Sequence, residues 1–98
     1  MILYVGLKNL LITFNKNKSY FVEETCEDLQ KFYDIDIDKN SKCFVYRFNW
    51  YMFVICDEKI YCYQYLKESI HDFDIDDIMN NDLEYNILKY GRIISEEI

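Results

Sequence analysis

The clearest pattern of apolar and polar positions lies in the middle of the chain. Residues 43–48, 51–56 and 60–66 are dominated by β-branched and aromatic side chains, which suit a pleated, half-buried surface. Asp57-Glu58-Lys59 separates the last two runs as a tight hairpin tip. Asn49-Trp50 separates the first two, as a turn or as a bend in one long strand. Both faces of these strands are largely apolar, so helices or an N-terminal hairpin are expected to cover at least one of them.

The flanking segments change period. Thr25 reads as an N-cap with Asp28 three residues on, and Glu27 and Asp28 suit the positive end of a helix dipole. Leu29, Phe32 and Tyr33 share a face at i, i+3 and i+4, which predicts a short helix over 26–33. Residues 34–42 are polar and read as a loop, with a strand start at Ile35 and Ile37 as the variant. From Asp74 onward, Ile75, Ile78, Met79, Leu83, Ile87 and Tyr90 fall in one stripe of period 3.6. Asp74 stands at the N-cap, Lys89 near the end and Gly91 after the last turn, so a C-terminal helix is predicted near 75–90. Asn80-Asn81-Asp82 is poor helix material, and two short helices are the alternative. Residues 92–98 read as a tail or an edge strand.

At the N-terminus, residues 2–5 are β-prone, and 10–14 and 19–23 flank the polar turn Asn15-Lys16-Asn17-Lys18. That reads as a hairpin, with one or two helical turns over 7–14 as the alternative. Together these readings predict an α+β fold: one small domain over 1–98, an antiparallel sheet of hairpins packed by a short helix and a C-terminal helix.

Composition narrows the class. A chain of 98 residues that is 51% hydrophobic is neither disordered nor large enough for a second lobe around a wide cleft. Its longest apolar runs, of about seven residues, fall far short of the roughly 20 that span a bilayer. No basic leader precedes the first apolar stretch, so no secretory signal is expected and the cytoplasm is the expected compartment. Cys26, Cys43, Cys56 and Cys62 form no C-x-x-C pair, and reduced thiols acting as small core residues are expected. Cys56 and Cys62 flank the hairpin tip, and an odd-length loop there would set them opposite each other as a disulfide. The chain has no Ala and no Pro and only two Gly. Those types need GC-rich codons, so the gene reads as AT-rich, in keeping with a phage, plasmid or virus accessory gene or an AT-rich bacterium.

Charge is segregated. The net charge is -7, yet residues 23–38 hold seven acids (Glu23, Glu24, Glu27, Asp28, Asp34, Asp36, Asp38) against the single base Lys31. Residues 72–84 hold six more (Asp72, Asp74, Asp76, Asp77, Asp82, Glu84) and no Lys or Arg. The remainder is therefore net positive. Spaced carboxylates imitate phosphates and steer a basic partner.

Catalytic chemistry is sparse. Counted as calcium loops from Asp34 or Asp72, positions 6 and 12 are Lys39 and Val45, or Asp77 and Leu83, where Gly and Glu are required. No metal site or cofactor is expected. Asp57 and Lys59, with Asp36 or Asp38 upstream, match a fragment of a Mg²⁺ nuclease pattern, but an acidic chain repels nucleic acid. His71 beside Ser69 and Asp72 is expected at the surface rather than in a triad. Tyr61, Tyr63 and Tyr65 alternate on one strand face, for packing under a helix or for a protein interface.

No motif ties the chain to a family. In size, acidity and composition it is similar to small phage- or plasmid-encoded inhibitors such as anti-CRISPR and anti-restriction proteins. The expectation is a non-enzymatic inhibitor that masks a basic nucleic-acid-binding protein. The expected contacts are Glu23, Glu24, Glu27, Asp28, Asp34, Asp36, Asp38, Asp72, Asp74, Asp76 and Asp77, with Trp50, Tyr61, Tyr63 and Tyr65 as aromatic anchors. Direct nucleic-acid or membrane binding is not expected. The alternatives are a toxin-immunity protein, a self-associating structural protein forming a homodimer, and a small Mg²⁺-dependent enzyme.

Overall fold

In the computed structural model, which describes residues 2–31, 37–38, 40–91 and 93–96, the β pattern and the helical pattern both materialise, and the fold is α+β. The elements run α1 (Ile2–Lys16), β1 (Val22–Thr25), α2 (Cys26–Gln30), β2 (Lys42–Phe48), β3 (Tyr51–Cys56), β4 (Lys59–Gln64), β5 (Ser69–Asp74), α3 (Ile75–Asn80), α4 (Leu83–Tyr90) and α5 (Ile93–Glu96). The strands form one antiparallel sheet in the order β1-β2-β3-β4-β5. Two compact units divide the chain, Ser19–Asp72 and Met1–Lys18 with Phe73–Ile98.

The first unit is a meander of hairpins. Asn49-Trp50 is a turn, with Phe48 opposite Tyr51 and Phe44 opposite Ile55, and Asn49 takes the left-handed φ of 51° that lets it close so tightly. Asp57, at φ 55°, turns β3 into β4, so that Cys56 faces Lys59 and Phe53 faces Cys62. The period-2 pattern sorts the side chains. Cys43 and Val45 of β2, Met52, Val54 and Cys56 of β3 and Tyr61 of β4 cluster with Cys26 and Leu29 of α2. Phe53, Ile55, Ile60 and Cys62, of opposite parity, are buried too, as two apolar faces require. Thr25 caps α2 as its spacing predicts: its Oγ1 accepts from the Asp28 backbone N–H at 3.3 Å. The helix stops at Gln30; Phe32 and Tyr33, expected within it, lie outside the described residues.

The second unit corrects the N-terminal reading. Residues 2–16 are one helix, not a strand and half a hairpin. Leu3, Leu7 and Leu11, four apart, are all buried along one face, and α1 packs on α3 and α5. Burying each leucine is worth about 1.5–3 kcal/mol. That outweighs the tenths of a kcal/mol by which Ile2, Val5, Ile12 and Thr13 disfavour a helix. Ile78, Ile94 and Phe73 complete the buried set of this unit.

The C-terminal stripe is cut where its sequence is weakest. Asn81 and Asp82 break the helix, and Asp82 caps α4 by accepting from the Tyr85 N–H at 2.9 Å. The break rotates α4 relative to a continuous helix. Ile87, expected inside, is 38% exposed, and Asn86 is buried in its place. Asn86 donates to the carbonyls of Asp77 (3.0 Å) and Asp82 (2.9 Å), which also accept the backbone N–H groups of Asn81 and Asn86. Gly91 ends α4 at φ 63°, as its position predicts. β5 is an element the sequence pattern does not announce, because Ser69, His71 and Asp72 interrupt its apolar positions. His71 sits on it, half-buried. No helix among the described residues is long and apolar enough to cross a membrane.

Candidate functional site: acidic surfaces and a buried thiol cluster

The two acidic blocks fare differently once folded. In the first, antiparallel pairing of β1 with β2 brings acids diagonally near bases of the neighbouring strand. Glu23 lies 3.5 Å from Lys42 and Glu24 lies 3.6 Å from Arg47. Asp28 lies 3.8 Å from Lys31 one helical turn on. Such exposed pairs add little stability, but they cancel local charge. Glu27 is exposed with no ion pair among the described residues. Asp38 is used within its own turn, accepting from the Asn40 N–H at 2.9 Å. Asp34 and Asp36 lie outside the described residues.

In the second block, Asp72 on β5 takes Lys59 of β4 at 2.8 Å. Asp77, expected on the surface, is buried and works inside its own unit. Its Oδ2 accepts from Lys89 Nζ at 2.5 Å and from the Tyr90 hydroxyl at 2.7 Å. Lys89 first, then Tyr90, hold the carboxyl below its ordinary value. Burial, and then donation to Asp77, push the Tyr90 phenol up to about 12. Asp77 likewise raises Lys89, with help from Asp74, 3.3 Å away. Asp74 stands at the α3 N-cap, as expected, but makes no side-chain cap bond. Asp76 and Glu84 are exposed, with no ion pair among the described residues. On α4, Leu88 is 82% and Tyr85 43% exposed beside Glu84.

Of the aromatic anchors, Tyr61 is buried in the core, and Tyr63 and Tyr65 pack against that core, edge to face with ring centres 5.1 Å apart. The tyrosine stripe is thus mainly sheet packing. Trp50 is 58% exposed. The Tyr65 N–H donates to its carbonyl at 2.8 Å, bringing the Trp50 turn beside the turn that carries Leu66, itself 69% exposed. Asp57 accepts weakly from the Ser41 hydroxyl at 3.4 Å, Lys59 pairs with Asp72, and Asp36, a candidate acid of the nuclease-like fragment, lies outside the described residues.

All four cysteines are buried free thiols, as expected, but three of them come together. Cys62 lies opposite Phe53, and Cys56, paired with Lys59, points to the other face of the sheet. The alternative of a Cys56–Cys62 bridge is therefore ruled out. Cys56 instead meets Cys43 and Cys26. The Sγ atoms of Cys26 and Cys43 are 2.7 Å apart and those of Cys26 and Cys56 3.8 Å. All three sulfurs lie within 4.8 Å of one another, all are buried, and all are free thiols. Three elements deliver them: the first residue of α2, the start of β2 and the end of β3. The Cys26 N–H is anchored on the Ser41 carbonyl at 3.2 Å.

Burial pushes the Cys43 thiol far up, with hydrogen bonds from its two neighbours adding to it. Burial likewise raises Cys56, to about 11. A thiol raised in this way is a weaker nucleophile at neutral pH than the low-pKa thiolate of a catalytic cysteine. Cys56 also lines an open cavity of about 490 Å³ with Ile37, Asp57, Glu58, Lys59 and Tyr61.

The signal for this cluster was present in the chain. A two-residue turn at Asn49-Trp50 makes Phe48 face Tyr51, and counting outward sets Cys43 opposite Cys56. Spacing motifs such as C-x-x-C miss ligands that strand pairing brings together. No family model matches the chain, and comparison with curated proteins and with solved structures yields no match.

Proposed function

We propose that the chain is a non-enzymatic binding protein that masks a basic, nucleic-acid-binding protein, as anti-defence inhibitors do, and that it works in the cytoplasm. One observation carries the reading. α4 presents an apolar centre, Leu88 with Tyr85, beside a carboxylate, Glu84, that no base neutralises among the described residues. Asp76 of α3 adds a second such carboxylate. Lys89, the base nearest in sequence, is spent on Asp74 and Asp77. A desolvated apolar centre with charged neighbours is the anatomy of a protein-docking patch, and unpaired carboxylates favour a basic partner. Four free thiols suit a reducing compartment. The first acidic block, paired with Lys42, Arg47 and Lys31, contributes less. The test is displacement: host proteins retained on an immobilised polyanion are washed with the chain. Release of one basic protein, not released by an unrelated protein of equal charge, is the expected result; release of nothing specific refutes the reading.

A second reading, self-association, draws on Trp50 and Leu66 exposed together at one end of the sheet. It calls for a dimer insensitive to salt and lost in Trp50→Ala.

A further inference from the structure

We propose that Cys26, Cys43 and Cys56 form a three-thiolate site for a thiophilic closed-shell cation, Zn²⁺ or Cu(I). The geometry is that of a ligand set. A triangle of sulfurs with edges of 2.7 and 3.8 Å and a third no longer than 4.8 Å has a point about 2.4 Å or less from all three corners, against a Zn–S bond of about 2.3 Å. The Cys26–Cys56 edge already matches the roughly 3.8 Å that separates thiolates around tetrahedral zinc. The Cys26–Cys43 pair must open by about 1 Å, a small side-chain rotation.

The donor type selects the ion. Three sulfurs, with no imidazole or carboxylate among them, favour soft cations and disfavour Mg²⁺ or Ca²⁺. Strand pairing and the capped start of α2 hold the three ligands in place before any ion arrives, which lowers the ordering cost of binding. Of the three, Cys56 also borders an open cavity, which is the side from which an ion would arrive. It also leaves room for a water or other small ligand in a fourth position, which Zn²⁺ would use and trigonal Cu(I) would not. On binding, three S–H protons leave to solvent and three metal–sulfur bonds form. No electrons are transferred. The buried site ends at net charge −1 with Zn²⁺ or −2 with Cu(I). The ion would clamp α2 onto β2 and β3.

The experiment uses the full chain, reduced and kept free of oxygen, titrated with Zn²⁺ in one arm and Cu(I) in the other against a competing chelator. Native mass spectrometry counts bound ions and lost protons. The expected result in at least one arm is one ion per chain with a dissociation constant below about 1 μM. Cys43→Ser and Cys56→Ser are expected to weaken it by more than about 100-fold, exceeding the loss typical of an outer-shell partner. Cys62→Ala, which alters the thiol on the other face, is expected to retain it. If the serine variants do not fold, the unaltered chain loaded with Co²⁺ decides the Zn²⁺ arm through the intense near-ultraviolet bands of thiolate coordination. In the Cu(I) arm, protection of three thiols from alkylation decides. Failure of both ions to bind, retention of binding in Cys43→Ser, or a Cys26–Cys43 disulfide as the only stable product of the reduced chain overturns the proposal.

Discussion

The Tyr90 hydroxyl donates to Asp77 Oδ2 at 2.7 Å while accepting from the Asp74 N–H at 3.0 Å. One phenol at the end of α4 thereby grips both the start of α3 and the carboxylate in its first turn. Its ring packs edge-on against Phe73 with ring centres 5.0 Å apart, so Tyr90→Phe keeps the packing and removes only the bonds. A hydrogen bond to a charged group is worth about 1.5–3 kcal/mol, and a loss of that size is expected in urea unfolding. Tyr90→Ala should cost more, since the ring contact goes as well.

The same cluster sets a pH window. Asp77 is depressed below the ordinary value of 3.8, so it stabilises the fold fully above that value and ceases to do so as pH falls through its lower, folded value. Tyr90 is raised from 10.0 to about 12 and Lys89 is raised above 10.5. Their contributions are full below those ordinary values and fade as pH climbs through the raised ones. Melting temperature followed against pH should therefore show an acid fall below about 3.8 that is shallower in Asp77→Asn. An alkaline fall above about 10 should be reduced in Tyr90→Phe.

Asn86 is the polar residue on which the α3–α4 break depends. Its side-chain N–H groups are second donors to two backbone carbonyls that already accept the N–H groups of Asn81 and Asn86, and so tie the end of α3 to the start of α4. Asn86→Leu keeps the volume and removes both side-chain bonds, each worth about 0.5–1.5 kcal/mol, while the two carbonyls keep their backbone donors. Denaturant titration is expected to show that loss, with Asn86→Gln recovering part of it.

These elements show what could be read from the chain. The sheet was legible because β-branched and aromatic residues dominate 43–48, 51–56 and 60–66 and its turns carry residues that tolerate positive φ. The cap at Thr25, the weakness of Asn80-Asn81-Asp82 and the stop at Gly91 were legible because their chemistry is local. α1 was misread because β-branched residues on its outer side masked the four-residue spacing of Leu3, Leu7 and Leu11. Ile87 and Asn86 exchanged places because a break in a helix changes which face points inward, and a stripe drawn through Asn81 does not register that. The acidic blocks were visible as composition, but their neutralisation by Lys42 and Arg47 depends on strand register. The thiol cluster depends on the same register.

Charge reversal should separate the two blocks. Asp76→Lys with Glu84→Lys is expected to lower affinity for a basic partner at least tenfold, mostly through the association rate and with a weaker salt dependence. Glu23→Lys with Glu24→Lys, whose charges are already balanced by neighbours, should have a smaller effect, about threefold or less. Surface plasmon resonance at two salt concentrations reads both.

Leu88→Asp changes a side chain that folding leaves almost wholly in water, so stability should move by no more than about 0.5 kcal/mol. It therefore isolates docking from folding. Tagged wild type and Leu88→Asp, each shown folded by circular dichroism, are passed through host lysate. The bound proteins are then identified after low-salt and high-salt washes. The account predicts one basic, nucleic-acid-binding protein held by the wild type at low salt, released at high salt and not held by Leu88→Asp. Capture of the same proteins by both forms, or of nothing but further copies of the chain itself, would contradict it.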